Sequence, residues 1–177
     1  MTADFVERWE HFRGVLKPYD RAGFLFNPPC PADKIQQAEQ KIHLELPALL
    51  QTLLALNNGQ QAGSEDVKNG IFKSISGWNV YERHIFLGIA EIGTAYETFT
   101  ADEVLLAEFG PSEIPFAVAG TPARYREAFC IHALTGRVSL IWTQYPDPFN
   151  PPKWQVQKFD RAESLTRFIE KQIELYR

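Results

Sequence analysis

Residues 46–60, LPALLQTLLALNNGQ, constrain this chain most: six leucines and two alanines run up to a polar corner at Asn57-Asn58-Gly59. Pro47 suits the start of a helix, and Leu46, Leu50, Leu53 and Leu54 recur at its period as an apolar stripe. Asparagine and glycine accept left-handed backbone, so the corner reads as a helix stop.

The same reasoning organises the rest of the chain. Phe5, Trp9, Phe12 and Leu16 form a first helical stripe that Pro18 closes. The following AGFLFNPPCP reads as an extended surface linker, stiffened by Pro28, Pro29 and Pro31. A helix from about Pro31, with Asp33 near its positive end, buries Ile35, Ala38 and Ile42. IFKSIS, HIFLGIA and IPFAVAG are predicted strands, and Thr100 with Glu103 is predicted to cap a short helix over about 101–109. AFCIHALTGRVSLIW predicts a hairpin turning at Thr135-Gly136, with Phe129 and Ile131 on one face and Cys130, His132 and Leu134 on the other. KWQVQKF is a last strand, and Asp160 and Glu163 are predicted to cap a final helix with Leu165, Phe168, Ile169, Ile173 and Tyr176 inward. The expectation is an α+β fold: N-terminal helices, a central mainly antiparallel sheet with a hairpin, and a C-terminal helix.

The 177 residues suit a single domain spanning 1–177, with residues 1–23 as a helical N-terminal extension. No apolar run reaches membrane-spanning length, and the acidic N-terminus is unlike a signal peptide, so a cytoplasmic location without membrane partners is expected. Net charge is -4 and unevenly spread. Residues 61–120 hold nine acids and three bases, whereas 121–177 hold six acids and nine bases. From Glu91 to Glu113 there are six carboxylates and no lysine or arginine.

The order of features resembles the SUKH superfamily, which groups bacterial toxin-immunity proteins with fungal cell-wall-synthesis regulators. The likeness rests on Pro28-Pro29, on Ile35 and Glu39 in an I-x-x-x-E helix, on Leu46-Pro47, and on Asn58-Gly59. IPFAVAG, FCIHALTGRV and SLTRFIEKQI resemble the later strand, hairpin and closing helix. His132 stands where many members carry an acid, and GTPARYRE replaces a short glycine-acid turn. The resemblance implies a SUKH-like fold, in which the motif residues are structural, and a protein that acts by binding another protein.

Chemistry-bearing patterns are sparse. Cys130 and His132, two apart on a predicted strand, could pair as thiolate and base, and Cys30 near a helix N-terminus would have its acidity raised by the dipole. Two cysteines far apart suit free thiols. His11, His43, His84 and His132 show no metal-ligand spacing, and no phosphate-cradling glycine loop is present, so no metal or cofactor is expected. The spread of basic residues and the acidic balance argue against nucleic acid. Trp78 beside Tyr81 in a predicted loop has the character of an interface anchor, and Asp102, Glu103 and Glu108 are expected outward on the short helix whose Val104, Leu105, Leu106 and Phe109 turn inward.

With no catalytic constellation in the sequence, the resemblance implies a non-catalytic bacterial immunity protein, monomeric or weakly dimeric, that neutralises a cognate toxin by direct binding, and the acidic middle third suits a basic nuclease as that toxin. The alternatives are a regulatory scaffold of the cell-wall-synthesis-regulator type and a thiol-dependent enzyme using Cys130 and His132.

Overall fold

The computed structural model describes residues 2–19, 26–61, 70–75, 81–144 and 155–177. Helix α1 (Thr2–Leu16) runs into a 3-10 turn at Lys17–Tyr19, and is followed by α2 (Ala32–Ile42) and α3 (Ala48–Leu56). Strands β1 (Phe72–Ile75) and β2 (Tyr81–Phe86) lead to α4 (Ile89–Ala101) and α5 (Glu103–Phe109). Strands β3 (Glu113–Thr121), β4 (Arg124–His132), β5 (Val138–Gln144) and β6 (Gln155–Ala162) then precede α6 (Leu165–Leu175). The fold is α+β. Its six described strands pair antiparallel with their chain neighbours, in the order β1-β2-β3-β4-β5-β6.

One continuous core joins the helices to the curled sheet. Phe72 is its aromatic centre, stacked on Phe12 and meeting Phe86, Phe116, Phe129 and Phe168 edge-on at ring-centroid distances of 5.1 to 6.5 Å. Such tilted contacts bring the positive edge of one ring to the negative face of another. The α1 stripe of Phe5, Trp9, Phe12 and Leu16 is fully enclosed in this cluster, as is the α6 stripe of Leu165, Phe168, Ile169, Ile173 and Tyr176. The predicted extension is therefore packed into the same core as the rest of the described chain.

The polar corner does more than stop α3. Asn57 is extended (φ -150°), and its buried side-chain oxygen accepts the indole N–H of Trp9 at 2.9 Å. Asn58 donates its backbone N–H to Pro28 and, through Oδ1, accepts the N–H of Ile89 at 2.7 Å, capping the start of α4. Gly59 alone takes the left-handed conformation (φ +78°). Residues 26–30 are held along this corner: Asn27 donates to Gly59, Cys30 donates to Leu54, and Phe26 bridges Gln60. It is a laced strap with Cys30 buried in it, where the sequence suggests a surface linker.

Several local expectations are corrected. HIFLGIA is the end of β2 joined to the start of α4, a helix buried through Ile89, Ile92, Ala95, Tyr96 and Phe99. The run is apolar because both elements are buried, and the cap comes from Asn58, 31 residues away. Thr100 lies inside α4, bonded to the carbonyl of Tyr96, and Asp102 caps α5 in its place. Ser164 caps α6 by accepting from Arg167, while Asp160 pairs with Arg137 and Glu163 with Arg167. The hairpin turns as expected, with Gly136 at φ +67°, but β4 is buried on both faces and Leu134 stands exposed in the turn.

Candidate partner-binding surface

Helix α5 is built outward from Asp102. Its Oδ1 accepts the N–H groups of Val104 (3.0 Å) and Leu105 (3.1 Å), and its own N–H closes the last turn of α4 on Phe99. Asp102 is thus partly buried and serves as a cap between two helices, not as a free surface charge. A seven-residue helix turns only one stripe inward; here Leu105 is buried and Phe109 partly so. Val104 and Leu106, expected inward, remain 37% exposed beside the exposed Glu103 and Glu108.

The six carboxylates from Glu91 to Glu113 therefore divide. Glu91 takes the N–H of Gly88 at 2.7 Å, and Glu97 pairs with Lys41 at 2.7 Å, tying α4 to α2. Glu113 is buried, with Lys158 at 2.5 Å and the Ser139 hydroxyl at 3.1 Å. Glu103 and Glu108 have no ion pair among the described residues. What faces solvent is a small mixed patch of two aliphatic side chains and two carboxylates. Trp78 and the side chain of Tyr81 lie outside the described residues; Tyr81 opens β2 opposite Ile75.

The motif residues sit at joints of the fold. Ile35 and Leu46 are buried. Glu39 Oε1 accepts the N–H of Leu46 at 2.8 Å and the side-chain amide of Gln51 at 2.9 Å, fixing α2 to the start of α3. Pro47 precedes α3, and its carbonyl accepts from Leu50 and Gln51. Asn58 and Gly59 form the corner described above.

Burial works against the candidate thiol pair. Cys130 is fully buried, and burial, followed by the negative field of Glu113, pushes its thiol well above the usual cysteine value. His132 spends Nδ1 accepting the N–H groups of Leu134 and Thr135, both at 3.3 Å, as a cap on the hairpin turn. Cys30, expected to be acidified, is shifted the other way: burial raises it, Asp33 adds to this, and Lys34 opposes only in part. No three His, Cys, Asp or Glu side chains gather as a metal site among the described residues. No described helix is long and apolar enough to cross a membrane.

A buried polar group was not legible from sequence. His84, Glu127 and Ser74 converge from three strands: the Ser74 hydroxyl donates to Glu127 Oε2 at 3.1 Å, and His84 Nε2 lies 3.3 Å from the same oxygen, off the hydrogen-bonding direction. Burial works to raise the Glu127 carboxyl, but His84, Ser74 and Arg161 outweigh it and hold the group below its ordinary value. These residues are about 10 and 43 positions apart in sequence, a spacing that matches no motif and reflects only the curl of the sheet.

Six described strands in an antiparallel meander, packed with helices from the N- and C-terminal parts of the chain, define an α+β fold. The chain belongs to the SMI1 / KNR4 family (SUKH-1), whose model matches residues 29–171. The match leaves α1 outside the family core, although α1 packs into it. No similar curated protein was found.

Proposed function

We propose that this protein is an immunity protein that neutralises a cognate toxin, a basic nuclease, by binding and occluding it in the cytoplasm. The family is in general non-catalytic, and occlusion asks no chemistry of the inhibitor. The observation that carries the reading is the α5 surface, where Val104 and Leu106 stand exposed between Glu103 and Glu108, which have no ion pair among the described residues. Carboxylates in such a patch steer a cationic partner and reject others, while the aliphatic groups gain from desolvation once contact is made. Trp78 and Tyr81 carry the aromatic chemistry of interface anchors.

A regulatory scaffold of the kind implied by the fungal members of the superfamily would use the same surface on a different partner. Gene context and a protection assay separate the two. Co-expression with the toxin module encoded by a neighbouring gene is expected to restore growth and to yield a complex on size exclusion. Unrelieved toxicity with both proteins folded and expressed would contradict the immunity reading.

A further inference from the structure

Between α6 and strands β1, β4 and β6 lies a cavity of about 390 Å³, within the range of small-molecule sites. Phe129 and Phe168 give it apolar walls, Ser74 reaches it from β1, and the charged groups around it belong to Lys73, Asp160, Arg161, Lys171 and Glu174.

Most of those charges are already engaged. Asp160 holds Arg137 at 2.9 Å. The Lys171 ammonium donates to the backbone carbonyl of Arg161. Lys73 Nζ donates to the carbonyl of Leu175 at 3.1 Å and lies 3.5 Å from the Tyr176 ring centroid. Glu174 is exposed at the edge.

Arg161 differs. Its guanidinium lies 5.2 Å from the Phe159 ring centroid, and its Nε is buried with no hydrogen-bond partner among the described residues. Burial lowers its pKa and Glu127 offsets this only in part, because Glu127 directs Oε2 to Ser74 and His84 and makes no ion pair with Arg161. An arginine stays charged, so the wall of the cavity carries a cation with a donor left without an acceptor among the described residues.

We propose that this cavity binds a small carboxylate with an apolar body, whose oxygens accept from the Arg161 guanidinium and whose body lies against Phe129 and Phe168. The planar fork of a guanidinium matches a carboxylate, and the aromatic walls favour a ligand with hydrocarbon behind the charge. A phosphate dianion fits less well, since it meets a single guanidinium that already feels Glu127, with Asp160 and Glu174 also at the cavity. The residues of this site are separate from those of α5.

The test is an NMR titration of the isotopically labelled full chain with benzoate, acetate, inorganic phosphate and the neutral benzyl alcohol. Benzoate is expected to saturate with an apparent Kd of about 1 mM, moving the Arg161 side-chain N–H and the amides of Ser74 and Gln172, with the other three at least about tenfold weaker. Arg161→Gln abolishes the response, and Arg161→Lys, which keeps the charge but loses the fork, weakens it by about tenfold. The amide spectrum of each variant reports folding, and the wild-type titration decides alone if either variant unfolds. Strictly linear shifts up to about 50 mM benzoate, more than about ten times the expected Kd, would overturn the proposal. So would phosphate binding tighter than benzoate, or a response that persists in folded Arg161→Gln.

Discussion

Gly59 and Gly88 meet backbone to backbone: a Cβ placed on Gly59 would lie 2.2 Å from the Gly88 amide nitrogen and 2.7 Å from its Cα. The contact closes the corner after α3 against the start of α4, where Asn58 Oδ1 holds the N–H of Ile89. Gly59 also has φ +78°. Gly59→Ala therefore meets both a conformational penalty and a backbone overlap, and should lose on the order of 3 kcal/mol or more in urea denaturation. An unchanged midpoint would mean that the corner relaxes without cost.

Asn57 supplies the buried acceptor for the Trp9 indole. Asn57→Ala should cost about 1 to 3 kcal/mol by stranding that N–H. In a double-mutant cycle with Trp9→Phe the losses should be less than additive, because the second change removes the stranded donor. Strict additivity would deny the coupling.

The buried thiols should be inert in the native state. Burial raises both Cys30 and Cys130, so a disulfide reagent at pH 8 should label the folded protein far more slowly than the unfolded chain, which yields both thiols at once. Rapid native labelling of either would restore it as a candidate nucleophile.

Glu127 makes acid stability measurable. Its folded pKa is lowered, so its contribution is complete above the unfolded value near 4.5 and is lost as pH falls through the folded value. Stability of the wild type should therefore decline below about pH 4.5 more steeply than that of Glu127→Gln, although the variant starts lower at neutral pH. Parallel pH profiles would show that the carboxylate is unperturbed.

Elements buried along one stripe were legible in the sequence: Phe5 to Leu16, Leu46 to Leu54 and Leu165 to Tyr176 carry their period in the residues themselves. The start of α4 was not, because its cap is the side chain of Asn58, brought there by tertiary structure. Thr100 to Glu103 has the spacing of a capping box, but α4 continues through Thr100 and Asp102 takes the role. The surface was half legible. Exposed Glu103 and Glu108 follow from charge, whereas outward Val104 and Leu106 depend on how little of so short a helix the core covers. The charge pattern also overstated the acidity, since Lys41 and Lys158, far along the chain, neutralise Glu97 and Glu113.

The proposed occlusion of a basic toxin through α5 is tested most directly by association kinetics against a candidate toxin module at several salt concentrations. Glu103→Lys with Glu108→Lys should slow association by roughly tenfold at low salt and flatten its salt dependence, with little change in folding stability, because exposed charges steer encounter more than they stabilise the fold. Leu106→Ala should act on the dissociation rate instead. An association rate and salt slope identical to wild type in the charge-reversed protein would remove α5 from the interface, and no binding by the wild type would contradict the account.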